Sequence, residues 1–187
     1  MEKRELVERA GRGDQDAFAV LAGASVGRLD AAARLILRDH ELARDAVQDG
    51  FIRAWRNLPT LRDPERFDAW LRRLVVRSCI DMLRRRGRRA VEVELTPLHS
   101  PLIGDIASIV ADRDLLDAAL RRLAPESRAV VVLHYYLGLP LPDVAATLGI
   151  PVGTAKSRLH RSLAAMRISI DTSLDPTLVP VAGGQYA

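Results

Sequence analysis

Apolar residues recur at every third or fourth position through most of this chain. Up to about Arg89 the spacing is interrupted only at "GRGD", "LRDH" and "NLPTLRDPER", and no alternating strand pattern occurs there. Because this spacing gathers apolar side chains on one face of an α-helix, it predicts a series of amphipathic helices. The sequence therefore predicts an all-α fold.

A weaker segment separates two helical blocks. Between Ala90 and Asp112 the pattern fades, with interruptions at Pro97, Pro101 and Gly104, and this predicts a flexible linker. The tail has two prolines, two glycines and no periodicity, which is typical of disorder. We therefore expect two small helical domains, and the predicted boundaries are residues 1–89 and 113–170 for the domains, 90–112 for the linker and 171–187 for the tail.

One segment of the second block is ambiguous between strand and helix. Val130 to Tyr136 contains three consecutive valines and two tyrosines, which favour an extended chain. Pro125 is nevertheless a suitable first residue for a helix, and Gly138 is a suitable residue just beyond its end. We therefore expect a short, fully buried helix here.

The stretch "LPDVAATLGIPVGTAKSRLHRSLAAMR" predicts a helix-turn-helix. Pro142 and Asp143 open a short helix, Gly149 ends it where a left-handed residue is needed, and a longer helix follows "IP". The apolar stripe that would hold the longer helix to its domain consists of Ala155, Leu159, Leu163 and Met166. A second stripe consists of Thr154, Ser157, Arg158 and Arg161.

The polar stripe has two interpretations. It could be a solvated basic face on a structural helix, but residues 149–167 contain four lysines and arginines and no acid. In a helix-turn-helix the second helix lies in the major groove of DNA. We therefore expect the polar stripe to face DNA, with Lys156 and His160 beside it at the phosphates.

Charge is distributed unevenly along the chain. The net charge is only +4, from 28 basic and 24 acidic residues. Residues 72–89 nevertheless hold eight arginines and one acid, on a helix that also buries Trp70, which predicts a surface that follows phosphates. Residues 38–49 hold four acids and two arginines, which favours contact with a basic partner.

Other functional classes find little support in the composition. The single cysteine, Cys79, lies in an apolar helical pattern and is expected to be a buried, inert thiol. The four histidines are scattered, and neither a glycine-rich phosphate loop nor a GxSxG turn occurs. We therefore predict no metal, no cofactor and no enzymatic activity. Without a bilayer-length apolar run or a signal peptide pattern, we expect a cytoplasmic protein with no membrane insertion.

Three motifs occur in the order and spacing of a known family. "ELARDAVQDGFIRAWRNL" looks like a region-two core that binds polymerase, and "FDAWLRRLVVRSCIDMLRRR" looks like the following helix that meets promoter DNA. "LRRLAPESRAVVVLHYYLGLPLPDVAATLGIPVGTAKSRLHRSL" is similar to region four. Over residues 14–167 the chain thus resembles bacterial RNA polymerase sigma factors of the extracytoplasmic-function (ECF) group, which carry only sigma regions two and four.

For the first domain the resemblance implies contacts with polymerase and with the minus-ten element. The clamp helices of the largest polymerase subunit would bind a surface made of Asp45, Gln48, Asp49, Ile52 and Arg53. The loop between Leu58 and Phe67 would capture a flipped base, at a cost of a few kcal/mol of unstacking, through Arg62, Asp63, Glu65 and Arg66. The next helix would follow the displaced strand and upstream phosphates through Arg73, Arg77, Arg84 and Arg85.

For the second domain the resemblance implies recognition of the minus-thirty-five element. The residues concerned are Thr154, Lys156, Ser157, Arg158, His160 and Arg161. The flap of the second-largest polymerase subunit would bind this domain, and the linker would thread near the active-site channel. The family is often held by an anti-sigma protein, which makes such a protein a candidate partner.

The sequence departs from the family pattern at two positions. Arg77 stands where asparagine is common, which favours a phosphate contact over a base contact. Pro140 stands where a capping serine is common before the helix-turn-helix, and we expect its geometry to survive. Trp55 and Trp70 match buried family positions, so we expect core packing and not base stacking.

Two other functions compete with the sigma factor. A free-standing helix-turn-helix regulator would normally dimerise on a two-fold site, and the sequence offers no separate dimerisation segment. A DNA enzyme such as a recombinase would need a catalytic domain, which the all-helical first block does not offer. Both alternatives leave the acidic helix, the turn-rich loop and the arginine helix unexplained.

Overall fold

The structure, a computed structural model, describes residues 2–92 and 107–174. Within these ranges it contains α-helices, two 3₁₀ turns and one π-helical turn, and no β-strand. This confirms the predicted all-α class.

Four helices form the first half of the molecule, and their bounds are α1 (Lys3–Gly11), α2 (Gln15–Leu37), α3 (His40–Asn57) and α4 (Phe67–Glu92). The first three of them end at the three breaks seen in the sequence. Carboxylates begin two of them: Asp14 accepts a hydrogen bond from the N–H of Ala17 at 3.0 Å, and Asp39 accepts one from the N–H of Leu42 at 3.1 Å. Such caps satisfy backbone donors that have no partner inside the helix.

A glycine sets the distance between α3 and α4. Gly50 lies where the two helices cross, and a Cβ at this position would lie 2.6 Å from Val75 Cγ2 and 2.8 Å from Val75 Cα. The second contact is with backbone, which a side-chain rotation cannot relieve. Only glycine therefore permits this close packing.

Between residues 107 and 174, the second half contains four helices and a π-helical turn at Val132–Tyr136, and the helix bounds are α5 (Ala107–Arg121), α6 (Pro125–Val131), α7 (Leu141–Leu148) and α8 (Val152–Leu174). The predicted helix-turn-helix is present as α7 and α8, with Gly149 left-handed at φ 68° between them. Pro140 precedes α7 in an extended conformation, so the expected geometry is preserved without a side-chain cap.

The helical interpretation of the valine-rich segment is confirmed, but its complete burial is wrong. Val130 to Leu133 are buried, whereas Tyr135 and Tyr136 are exposed. Consecutive residues in a helix or π turn point to all sides, and the neighbouring elements cover only one of them. Gly138, at φ 69°, follows the turn as predicted.

The apolar stripe of α8 differs from the predicted one at Leu163, which is 37% exposed. The buried positions follow steps of four and three and are Ala155, Leu159, Ser162, Met166 and Ser169. Ser162 can be buried because its hydroxyl donates to the Arg158 carbonyl at 2.7 Å. The helical period therefore predicts which side chains of α8 are buried better than the hydrophobicity of Leu163 does.

Helix occupies both ends of the segment predicted as a linker. The α4 helix continues to Glu92, and α5 begins at Ala107 instead of near Arg113. The α8 helix also continues into the predicted tail, to Leu174, because no proline interrupts it before Pro176. The predictions for residues 93–106 and 175–187 lie outside the described residues.

The two halves pack against each other. The α7 helix contacts α4, while α6 and the π turn contact α2. The apolar residues that α4 buries are Phe67, Leu71, Val75, Val76, Cys79 and Ile80. The helix is covered on more than one side because α2, α3 and α7 all pack on it.

Both tryptophans pack within the first half. The ring of Trp55 lies 5.1 Å from that of Phe18, and the ring of Trp70 lies 6.2 Å from that of the fully buried Phe67. Tilted pairs at these separations are favourable aromatic contacts. Trp70 packs against the hydrophobic core as expected, Trp55 contacts Phe18 at the edge of that core, and both tryptophans are half-buried instead of buried.

Candidate nucleic-acid interface

The exposed face of α8 begins directly after the left-handed turn at Gly149. Ile150 and Pro151 lead into the helix, and the Ala155 N–H donates to the Pro151 carbonyl at 3.1 Å. The predicted DNA-facing residues occupy the first three turns, where Lys156, Ser157, His160 and Arg161 are exposed and Thr154 and Arg158 are half-buried. The structure therefore brings all six together on the accessible side of one helix.

Hydrogen bonds within α8 orient part of this face. The Ser157 hydroxyl donates to the Thr154 carbonyl at 3.1 Å, and Arg161 Nε donates to the Ser157 carbonyl at 3.3 Å. No carboxylate in the described part of the chain forms an ion pair with Lys156, Arg158 or Arg161. The cationic groups are thus available to an external anion.

An open cleft of about 490 Å³ extends this face toward the turn between α5 and α6. Arg122, Arg158 and Arg161 line it, together with Ser127 and Ser162. Sequence reasoning missed Arg122 because it lies 36 positions before Arg158, outside the helix-turn-helix. The proximity of "LRRLAPES" to the recognition helix is a property of the tertiary fold.

The α4 helix presents a second basic face. Arg73, Arg77, Arg84 and Arg85 are all exposed, and within residues 2–92 and 107–174 none of them pairs with a carboxylate. The other arginines of the same helix behave differently. Arg86 pairs with Asp39 at 3.0 Å, and burial lowers the pKa of Arg72, whose Nε is buried without a hydrogen-bond partner.

The loop before α4 consists of two 3₁₀ turns, Leu58–Thr60 and Pro64–Arg66. Its four predicted contact residues are exposed, but Asp63 also has a structural task. It accepts a hydrogen bond from the Glu65 N–H at 3.1 Å and pairs with Arg66 at 3.2 Å. Arg62 and Glu65 form no side-chain bond among the described residues, so they are the members of this set most accessible to a ligand.

The predicted polymerase-binding residues follow one side of α3. Asp45, Gln48 and Ile52 are exposed. Asp49 is half-buried, accepts a hydrogen bond from the Ser78 hydroxyl of α4 at 2.7 Å and pairs with Arg53 at 2.9 Å. Arg53 also lies 3.7 Å from Asp81, so these charges connect α3 to α4.

The remaining candidate chemistry is not supported in the described ranges. Cys79 is fully buried, and desolvation raises the pKa of its thiol to about 12, which keeps the reactive thiolate scarce near neutral pH. The described residues contain no group of histidine, cysteine or carboxylate side chains arranged to hold a metal ion. Nor is any described helix long and apolar enough to cross a membrane.

Comparison with known proteins agrees with this layout. The family model for Sigma-70 region 2 matches residues 22–89, and that for Sigma-70, region 4 matches residues 113–166. The chain is 37% identical to an RNA polymerase sigma-E factor of Streptomyces coelicolor over 135 residues, which cover 72% of this chain and 75% of that one. It is 35% identical to the ECF RNA polymerase sigma factor SigM of Mycobacterium tuberculosis, with 86% and 80% coverage.

Two solved structures share the fold. The sigma factor RpoE of Bartonella quintana, in complex with the anti-sigma factor NepR, superposes with a TM-score of 0.71 at 25% identity, covering 82% of this chain and 96% of that one. CnrH, in complex with the cytosolic domain of CnrY, gives a TM-score of 0.64 at 30% identity, with 91% and 97% coverage. The two basic helices and these relatives lead to one conclusion: the chain belongs to the ECF group of RNA polymerase sigma factors.

Proposed function

We propose that this protein binds core RNA polymerase and directs transcription from promoters that carry matching minus-ten and minus-thirty-five elements. Residues 1–89 act as region two, residues 113–170 act as region four, and residues 90–112 connect them. The protein contributes specificity and carries out no catalysis of its own. The cytoplasm, where the polymerase works, is the corresponding location.

One observation carries the proposal: two separate helices, α4 and α8, each present exposed cations without carboxylate partners in the described structure. Like charges on one helix face repel one another, so such a face is stabilised when phosphates supply the missing anions. A single chain with two such faces suits a ligand that offers two separated sites.

At the minus-thirty-five element, we assign base contacts to residues near the N-terminus of α8, since that end enters the major groove in helix-turn-helix proteins. Arg158 is suited to a guanine edge, which accepts two hydrogen bonds from a guanidinium group. Lys156, His160 and Arg161 contact phosphates. Arg122 joins them from the adjacent cleft and helps to fix the register of the helix on the duplex.

At the minus-ten element, Arg62 and Glu65 form the contact to the extruded base, while Asp63 and Arg66 hold the loop. Arg73, Arg77, Arg84 and Arg85 follow the backbone of the separated strand. On α3, the exposed side chains of Asp45, Gln48 and Ile52 contact the largest polymerase subunit. Asp49 and Arg53 stabilise the contact between α3 and α4 from which that surface is built.

An anti-sigma protein is a further partner in this proposal. The solved structures of the similar factors RpoE and CnrH contain NepR and CnrY, respectively. A protein of that class would regulate this chain by covering its basic faces.

The decisive experiment is run-off transcription with core polymerase, a pool of promoter fragments, and this protein present or absent. We expect transcripts from a defined subset only when the protein is present, and their upstream sequences should share two elements. A folded protein that binds duplex DNA alone but directs no transcript would instead be a free-standing regulator.

An Arg158→Ala variant provides the internal comparison. It should lose transcription from the selected promoters while an Arg34→Ala variant, in which only an exposed ion pair within α2 is removed, retains it. Equal loss from both variants at equal folded fraction would contradict the assignment of α8 as the recognition helix.

A further inference from the structure

An ion pair connects the two halves of the molecule. Arg38, the C-cap of α2, directs both terminal nitrogens of its guanidinium group at the two carboxylate oxygens of Asp117 in α5. The two side chains are only 12% and 23% exposed, although they are 79 residues apart in the sequence. A two-bond arginine–carboxylate pair in a partly buried place fixes orientation as well as distance.

The backbone at Arg38 is unusual in a way that serves this contact. Its φ of 58° is left-handed, and it is the only residue other than glycine with a positive φ in the described ranges. An arginine in this conformation is disfavoured because its Cβ lies too close to the following carbonyl oxygen. Glycine or asparagine would end α2 more readily, so the pair with Asp117 gives a physical reason for arginine at this position.

Further polar contacts cross the same boundary. Arg28 Nη2 donates to the Leu137 carbonyl at 3.0 Å, so α2 is also bonded to the end of the π turn. The carboxylate of Asp143, in α7, attracts the desolvated guanidinium group of Arg72, in α4. Both predicted DNA-binding regions therefore contribute to this boundary. The α4 helix belongs to the first region, and α7 is the first helix of the helix-turn-helix in the second.

Arginines outnumber carboxylates around Asp117 at this boundary, and the repulsion between them limits the stability of the contact between the two halves. Asp117 pairs with Arg121 at 2.6 Å as well as with Arg38, and Arg128, only 6% exposed, faces the same region. Desolvation, with a smaller contribution from Arg38, lowers the pKa of Arg128 to about 10. The Nε atoms of Arg38 and Arg128 are buried without hydrogen-bond partners, so part of the gain from closing is offset by desolvation.

In the closed arrangement, the protein is too small to reach both promoter elements at once. Elements centred near positions minus ten and minus thirty-five are about 25 base pairs apart, or roughly 85 Å at 3.4 Å per base pair. A compact chain of this length has a radius of gyration on the order of 16 Å and a diameter of about 40 Å. The two halves must therefore separate before they can occupy both elements.

We propose that Arg38 and Asp117 form a latch that keeps the free protein closed, and that binding of polymerase and promoter DNA opens it. The occupant of the α2 surface around Arg28 and Arg38 is thus the protein's own second half. The inhibitory role rests on the proposed function, whereas the closed state can be measured without polymerase or DNA.

The closed state is tested by energy transfer in the full-length protein. Thiol-reactive donor and acceptor dyes are attached at Arg12→Cys, which is exposed beyond α1, and at Arg167→Cys, which is exposed on α8. Cys79 is buried and remains unlabelled. We expect high transfer for the parent protein and a loss of more than half of it for Asp117→Arg, which places like charges together.

A charge reversal distinguishes the latch from simple misfolding. The double variant Arg38→Asp with Asp117→Arg should restore part of the transfer lost in the single variant, because the reversed pair can form although Arg121 and Arg128 repel the cation at position 117. Arg34→Ala should leave the transfer at the parent value. Low transfer in the parent protein, or transfer that is insensitive to Asp117→Arg, would overturn the latch. Loss without restoration by the double variant would also overturn it.

The inhibitory role has a separate readout. The milder Asp117→Asn variant should bind core polymerase several-fold more tightly than the parent, because less closing free energy opposes binding. If this variant is open by energy transfer but its affinity for polymerase is unchanged, the latch exists without an inhibitory role. Failure of the parent to bind polymerase at all would refute the proposed function and leave the energy-transfer result intact.

Discussion

The first half of the protein and the α8 helix of the second half use many of their arginines differently. In the first half, many pair with nearby carboxylates: Arg9 with Asp14 at 2.7 Å, Arg34 with Asp30 at 2.7 Å and Arg53 with Asp49 at 2.9 Å. On α8, by contrast, no cation pairs with a carboxylate of the described chain.

The difference separates charges that organise the fold from charges that serve a ligand. An exposed ion pair contributes only about 0–1 kcal/mol to stability, but it cancels the local field. The unpaired cations of α8 leave a positive field outside the molecule, which attracts phosphates. The same distinction holds within α4, where Arg86 is paired and Arg73, Arg77, Arg84 and Arg85 are not.

The largest expected effect is on the architecture of the first half, at Gly50. Gly50→Ala should reduce the free energy of unfolding by about 2–3 kcal/mol, because the new Cβ would meet Val75 Cα and force α3 and α4 apart. Urea denaturation followed by circular dichroism measures the change.

Gly153, in α8 of the second half, is the matched control. A Cβ there would meet nothing within 4 Å, and since Gly153 lies in the first turn of α8, the added alanine should stabilise the protein by less than about 0.5 kcal/mol. Similar effects from both substitutions would show that the close crossing in the first half has no special importance.

The second expected effect concerns the recognition face. Arg158→Ala should weaken binding to a minus-thirty-five duplex by about 1–3 kcal/mol, or roughly 5- to 150-fold, and relax preference at one base pair. Fluorescence anisotropy with the matched sequence and its single-base variants measures both quantities. Uniform weakening across all sequences would reassign Arg158 to a phosphate contact.

A smaller effect is expected on the salt dependence of nucleic-acid binding, which compares the two basic faces. Lys156→Ala should reduce the salt slope of duplex binding by about 0.9, while Arg77→Ala should reduce the slope of single-strand binding by about 0.7. Titrations between low and moderate potassium chloride concentrations give these slopes. If Arg77→Ala changed base preference and left the slope unaltered, Arg77 would contact a base.

The smallest effect concerns the start of α3. Burial raises the pKa of Asp39, but the N–H of Leu42 and the side chain of Arg86 lower it more, so its folded pKa lies below 3.8. Its stabilising contribution is therefore complete above that value and is lost as pH falls through the lower folded pKa. Asp39→Ala should cost about 1 kcal/mol at neutral pH through loss of the cap.

Asp39→Asn separates the cap from the charge. Asparagine can still accept the backbone hydrogen bond, so stability at neutral pH should change by less than in Asp39→Ala. The acid-dependent loss should be flatter when urea midpoints are compared between pH 5 and pH 2. An unchanged acid profile would show that other carboxyl groups dominate it.

Sequence reasoning predicted local structure well where one residue type has one physical consequence. Gly149 could end α7 because it adopts φ 68° without strain, and the breaks at "GRGD" and "LRDH" do separate consecutive helices. Its errors came where burial depends on neighbours. Leu163 was expected inside and is exposed, while Ser162 was not considered and is buried with its hydroxyl satisfied.

The candidate site shows the same limit. The exposed basic faces of α4 and α8 follow from spacing within single helices, which the sequence displays directly. Asp49 and Asp63 were predicted as contact residues, and the structure adds bonds from Asp49 to Ser78 and from Asp63 to Arg66. Arg122 was missed because its approach to Arg158 depends on how α5, α6 and α8 pack.

By itself the sequence determined the helical class, the helix-turn-helix and the two basic faces, because these depend on residues three or four positions apart. Only the tertiary structure decided that Gly50 permits the contact of α3 with α4, that Arg122 shares a cleft with Arg158, and that Arg38 pairs with Asp117. The physical reason is distance along the chain. Helical periodicity specifies which side of a helix is apolar, whereas the partner that covers that side, or that neutralises its charges, is set by the packing of all the helices together.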